Sequence, residues 1–169
     1  GVARAGTALA IVITLALPWT PAGAEPLSRI SVLGRAVVDE AGREVLLHGV
    51  NVGRKNAPFT PDRSEDDYAA LARWGFNCVR LYFNWAGLEP APGQLDHAVI
   101  EGIAHQVALA NAHGLYVLLD MHQDLYSDAI PGGNGAPAWA TLDEGKPHET
   151  IQASWGAAYF TSPKVHQAF

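Results

Sequence analysis

The clearest regularity along the chain is a repeated switch between helical and extended spacing of apolar residues. Val99, Ile100, Ile103, Val107 and Ala110 recur at three- and four-residue intervals after Asp96, which predicts an amphipathic helix running to about His113. Tyr68, Leu71, Ala72 and Trp74 form a second stripe behind Ser64. Ser64 with Asp67 reads as a capping box, and Glu65, Asp66 and Asp67 place acids at the positive end of that helix's dipole. Gly75 and Gly114 are placed to stop the two helices, and each is followed at once by an apolar run, Phe76 to Phe83 and Leu115 to Met121. Upstream, Ile30–Leu33 and Arg35–Asp39 hinge at Gly34 as a β-hairpin, and a turn over 40–43 leads into a strand predicted across Glu44–Val52. Strands alternating with helices of this length predict βαβ units and a parallel sheet. The tail is less regular. Residues 128–135 are turn-rich, and a helix is expected within 149–169, anchored by Tyr159, Phe160 and Phe169.

Alternation sorts the strand residues onto two faces. In the first long strand Val79, Leu81 and Phe83 share one face, and Cys78, Arg80 and Tyr82 share the other. In the next, Leu115, Val117, Leu119 and Met121 oppose Tyr116, Leu118, Asp120 and His122. Helices cover the apolar face, so Arg80 and His122 belong to corresponding faces turned away from them. A buried guanidinium needs a carboxylate, and Asp120 is the nearest by pattern. That pair can be purely structural. Asp120, His122 and Asp124 also contain the residue types of a metal site, a second reading left open by the spacing. Lys55 and Asn51 lie at the end of the strand before, where they could meet a ligand or simply solvent. Trp85 and Trp139 fall in loops, where an indole can stack on a sugar face or pack. Glu89, a loop carboxylate, is read as a solvated or capping group, and Cys78 as a buried thiol within its strand.

Composition narrows the classes. Eleven Lys and Arg against 17 Asp and Glu give a net charge of -6, which lacks the basic footprint nucleic acid requires. A single cysteine excludes an intrachain disulfide and a cysteine-based zinc framework. Arg4, an apolar run from Ala8 to Leu17 and the small residues Ala22-Gly23-Ala24 have the layout of a secretory signal peptide over 1–24. The run is shorter than the ~20 residues that span a bilayer. The expectation is export to the extracellular space without stable membrane insertion.

Four stretches carry a family resemblance. Leu47-His48-Gly49-Val50-Asn51, Gly75-Phe76-Asn77-Cys78-Val79-Arg80-Leu81, the run Trp85 to Asp96, and Leu118-Leu119-Asp120-Met121-His122-Gln123-Asp124 together resemble glycoside hydrolase family 5. Asp120 to Ser127, with Asn134-Gly135-Ala136-Pro137-Ala138-Trp139 after it, resembles the endoglycoceramidase-like branch, which cleaves the bond between a β-linked glycan and ceramide. The resemblance implies a (β/α)8 TIM barrel, of which residues 25–169 would be the N-terminal part, about three βα units behind the hairpin. It implies a retaining reaction with two carboxylates and no cofactor. The family's acid/base follows an Asn at the fourth strand and its nucleophile ends the seventh, and the chain contains no Asn-Glu-Pro. Both catalytic carboxylates are therefore expected outside it, and the chain is expected to be inactive by itself. By resemblance, Arg80 supports the nucleophile, His122 hydrogen-bonds near the scissile sugar, and Asp124, Lys55 and Asn51 are candidate sugar contacts. The rivals are a non-catalytic carbohydrate-binding protein and a hydrolase using metal at Asp120, His122 and Asp124.

Overall fold

The computed structural model describes residues 27–148 and 154–169. The expected signal peptide lies outside the described residues. Strands β1 (Ser31–Leu33) and β2 (Ala36–Val38) pair antiparallel around Gly34, as the pattern requires. The predicted strand over 44–52 is shorter than expected. Glu44 makes one isolated bridge to Val38, and β3 covers only Gly49–Gly53. Asp39 builds the expected turn by accepting the amides of Ala41 and Arg43, and beyond it the Asn77 side chain takes up the backbone in place of a strand partner, its Oδ1 accepting the His48 amide at 2.9 Å and its Nδ2 donating to the Leu46 carbonyl at 2.8 Å.

Beyond β3 come α1 (Glu65–Arg73), β4 (Cys78–Phe83), a one-turn α2 (Trp85–Leu88), α3 (His97–Ala112) and β5 (Tyr116–Met121). Ser64 and Asp67 form the capping box, and Asp96 caps α3 through the amides of Ala98 and Val99. The strands make a parallel sheet in the order β3-β4-β5. The register aligns Asn51 with Arg80 and Arg80 with Leu118, and it aligns Tyr82 with Asp120. The helices pack on one face. Val52, Val79 and Leu81 meet Tyr68 of α1, Val99, Ile103 and Ala110 of α3, and Leu115. Val99, Ile103, Gln106 and Ala110 are the buried residues of α3, one face of a helix at intervals of four, three and four. Gln106 is admitted to this stripe because its amide oxygen accepts the Tyr68 hydroxyl at 2.7 Å and its nitrogen donates to the Arg63 carbonyl.

Three expectations are corrected. Trp74 is not part of the α1 stripe; it is the helix's C-terminal cap and stands 73% exposed. The loop expected over 84–95 opens with the turn of α2, held by the Asn84 carbonyl. The tail is not one helix anchored by three aromatics. Two short helices, α4 (Ala158–Thr161) and α5 (Pro163–Ala168), are separated at Ser162, whose side chain caps α5. Phe160 and Phe169 are largely exposed, whereas Tyr159 packs beside the second cluster of Leu125, Ile130, Ala158, Val165 and Ala168. A proline directly after the break explains it, because residue 162 is pushed out of the helical region.

Candidate functional site

The sheet's open face, opposite the helices, carries the polar residues that alternation assigned to it. Arg80 leaves the middle of β4 on this face. Its Nη2 lies 2.6 Å from Asp120 Oδ2 and 3.4 Å from His122 Nδ1. The partner expected for Arg80 is thus the partner found. With Nδ1 facing the guanidinium, the ring proton of His122 belongs on Nε2. That atom lies 3.3 Å from Asp124 Oδ2, and Nδ1 lies 3.3 Å from Asp120 Oδ2, so the ring sits between two carboxylates with its N–H on the Asp124 side. These contacts are close in distance but off the direction of a hydrogen bond. Asp120 Oδ2 and His122 Nε2 are buried and have no aligned partner among the described residues. Tyr82 packs on the His122 ring with centroids 5.4 Å apart, and Gly53 leaves the room, since a Cβ there would meet the Tyr82 ring at 2.4 Å.

Asp124 is the best-held carboxylate of the group. Lys55 Nζ donates to its Oδ2 at 2.5 Å, and Asn134 Nδ2 donates to the same oxygen at 2.6 Å. Burial alone would raise its pKa. The two hydrogen bonds and the charges of Lys55 and His122 outweigh that and hold the carboxyl below the ordinary range. Lys55 is brought from the end of β3 across to the loop after β5, a contact 69 residues apart in sequence. Asn51 stands exposed on the same face, in register with Arg80. Lys55, Arg80, His122 and Asp124 therefore form one connected group with Asp120, and Asn51 lies beside it.

Two asparagines that sequence reasoning passed over complete the group. Asn134 donates to Asp124 as above, and Asn84, 1% exposed, donates to the Lys55 carbonyl at 2.9 Å and to Asn134 Oδ1 at 3.4 Å. The signal for Asn134 was present, an Asn between two glycines in a turn-rich stretch. Asn84 had none beyond its place at a strand end.

The other candidates bond and pack within the scaffold. Glu89 accepts the Trp85 indole and the Gly93 amide, each at 2.8 Å, and these bonds lower its pKa. The Trp139 indole donates to the Glu89 carbonyl and meets Trp85 edge-on, with centroids 5.4 Å apart. Cys78 is buried, and burial pushes its thiol pKa up. Among the described residues no group of three or more His, Cys, Asp or Glu side chains converges as metal ligands would, and no helix is long and apolar enough to cross a membrane. The reading of Asp120, His122 and Asp124 as a metal triad is therefore not supported by their geometry; the three make a line joined by the imidazole.

This arrangement offers a carboxylate acceptor, an ammonium donor and an imidazole N–H side by side at the C-terminal ends of parallel strands. Such a set has donors and acceptors at the spacing of neighbouring hydroxyls. The chain is also similar to known proteins over most of its length. The family model described as Cellulase (glycosyl hydrolase family 5) matches residues 38–162. Endoglycoceramidase I of Rhodococcus hoagii is 39% identical over 146 residues, covering 85% of this chain and 29% of the relative. The solved endogalactoceramidase structure superposes with a TM-score of 0.70 at 34% identity, over 84% of this chain and 35% of that one. Endo-glycoceramidase II from Rhodococcus sp. in complex with ganglioside GM3 gives 0.66 at 38% identity, over 78% and 32%. The chain thus spans about three-tenths of the length of the relatives it matches. On the strength of the family match and these likenesses, the chain belongs to glycosyl hydrolase family 5.

Proposed function

We propose that the chain supplies the first three βα units of a (β/α)8 barrel, in a secreted retaining glycosidase that cleaves a β-glycosidic bond between a glycan and a ceramide-type lipid, with residues 1–24 as its signal peptide. The observation that carries this reading is the convergence of Lys55, Arg80, Asp120, His122 and Asp124 at the C-terminal side of a parallel sheet, where barrel enzymes hold their active sites. The similarity to an endoglycoceramidase supports the lipid-linked substrate.

In this reading the acid/base and nucleophile come from outside the chain and stand ~5–5.5 Å apart across the sugar. Arg80 uses part of its donor fork on Asp120 and His122, and its remaining N–H groups hold the nucleophilic carboxylate ionised. Asp124, kept ionised by Lys55 and Asn134, accepts sugar hydroxyls, while Lys55 donates to their oxygens. Asn51 is a further candidate contact. Asp120 Oδ2 and His122 Nε2, buried without an aligned hydrogen bond among the described residues, would gain further donors and acceptors from the substrate or the remaining barrel.

The test compares the full open reading frame containing this chain with the 169-residue chain, using lactosylceramide and ganglioside GM3. Release of ceramide by the longer product, with the freed glycan in the β configuration, and no release by the chain alone is the expected result. Turnover by the chain alone, or none by the longer product, would sink the proposal. Glycan binding without turnover in both would favour the carbohydrate-binding rival. Mass spectrometry of the exported product would show cleavage after Ala24 or refute the signal peptide.

A further inference from the structure

The segment Gly133-Asn134-Gly135 is built against the turn that follows His122, and the fit is close on both sides. Asp124 and Asn134 exchange both backbone hydrogen bonds, N to O at 2.9 Å and 2.8 Å. A Cβ at residue 133 would come within 2.3 Å of the Ser127 carbonyl oxygen and 2.8 Å of that of Asp124. A Cβ at residue 135 would meet Gln123 at 2.4 Å, and that backbone has a φ of +125°, open to glycine alone in practice. Glycine on each side of Asn134 is thus what allows this backbone approach. The turn it grips is itself strained. Leu125 and Tyr126 both have positive φ, 52° and 77°. Gln123 Oε1 accepts the Tyr126 amide at 2.7 Å, and the Tyr159 hydroxyl accepts the Leu125 amide at 2.8 Å. So the position of Asp124 is set from three sides.

The side chains extend the grip. Asn134 Nδ2 reaches Asp124 Oδ2 at 2.6 Å, while its Oδ1 faces Asn84 Nδ2 at 3.4 Å. Asn84 also holds the Lys55 carbonyl. One buried amide therefore ties together the two strand ends that carry Lys55 and Asp124. Among the described residues Asn84 Oδ1 is buried without a partner, a cost a residue chosen only for packing would not bear.

We propose that Asn134, seated by its flanking glycines and backed by Asn84, is a positioning residue that fixes the Lys55–Asp124 pair as one donor–acceptor unit for two neighbouring hydroxyls of the bound sugar. The proposal rests on the glycosidase reading for its substrate but not for its geometry. With Lys55 as its one partner the Asp124 carboxylate would be free to turn about its own bond and offer either oxygen. The amide takes up one carboxylate lone pair and fixes the plane of the carboxyl, leaving the other oxygen, Oδ1, as the acceptor offered outward.

Asn134→Ala keeps the backbone pairing and removes the amide. In the full reading frame with lactosylceramide, KM should rise ~10-fold with kcat within about twofold, the loss of one charge-assisted contact to the carboxylate that binds ground state and transition state alike. An unchanged KM, or a fall confined to kcat, overturns the proposal. A second readout needs no turnover. In the product of the full reading frame, carbon NMR of the Asp124 carboxyl should show its titration moving upward in Asn134→Ala. An unmoved titration in folded Asn134→Ala overturns the clamp. If the parent enzyme lacks glycosidase turnover while the titration moves, the clamp stands and the glycosidase reading fails, taking the sugar contact with it.

Discussion

Asp124 shows what a single carboxylate contributes once its neighbours are fixed. Burial would raise its pKa, but the hydrogen bonds from Lys55 and Asn134 hold it below the ordinary aspartate range. A group whose pKa is lower folded than unfolded adds stability above its unfolded value of ~3.9, and that stability is lost as pH falls through the folded value. Asp124→Asn should therefore cost about 2 kcal/mol at pH 7, the scale of a hydrogen bond to a charged group. The difference from the parent should vanish as the pH drops below the folded pKa. Urea unfolding across that range checks it, and a cost that persists unchanged in acid would mean that packing, not charge, is responsible. The Arg80–Asp120 pair was legible beforehand because a period of two puts both residues on one face whatever the register. The Lys55–Asp124 pair and its two asparagines were not, because all four sit at strand ends and in loops. No period governs those positions, and the partners lie 10 to 69 residues apart.

At the scale of elements, the sequence pattern predicted most where burial and local chemistry agree. α1 and α3 begin at the caps expected for them, and both end before a glycine of positive φ, 88° at Gly75 and 72° at Gly114. It misled where a side-chain hydrogen bond overrode an apolar run. The Asn77 side chain takes up backbone groups of Leu46 and His48 before β3, and the Ser162-Pro163 step splits the tail helix. Gln106 is the polar exception inside the α3 stripe, and it tests how the two helices are joined. Replacing it with Leu fills the same space but strands the Tyr68 hydroxyl, whose burial already lifts its pKa to about 12. Gln106→Leu should destabilise by about 1–3 kcal/mol, the penalty for an unsatisfied buried polar group. Adding Tyr68→Phe to it should recover most of the loss. Denaturant melts of the three variants decide the matter, since additive losses would show that the hydroxyl finds another partner.

For the whole molecule, β5 is where a sequence reading and this sheet part company most instructively. Its run from Leu115 to Met121 is apolar on both faces apart from Asp120, which is the mark of a strand covered on both sides. Yet Leu118 is 57% exposed on the open face, and Leu119 and Met121 are 55% and 60% exposed on the helix face. β5 is the outer strand of the described sheet, with unpaired backbone groups along one side. Apolar side chains flanking an unpaired edge are a template for pairing with another chain. The 169-residue chain should accordingly self-associate as its concentration rises. The pair Leu119→Lys and Met121→Lys should shift it toward monomer in sedimentation velocity, because like charges on the strand oppose edge-to-edge pairing. If association is unaffected, the edge is not the contact. The same two substitutions carry opposite signs in the two settings. In a longer product whose next strand and helix cover β5, two buried lysines would each lose hydration and destabilise the fold by several kcal/mol. A protein stabilised against association when short and destabilised when long would place the missing cover directly on β5.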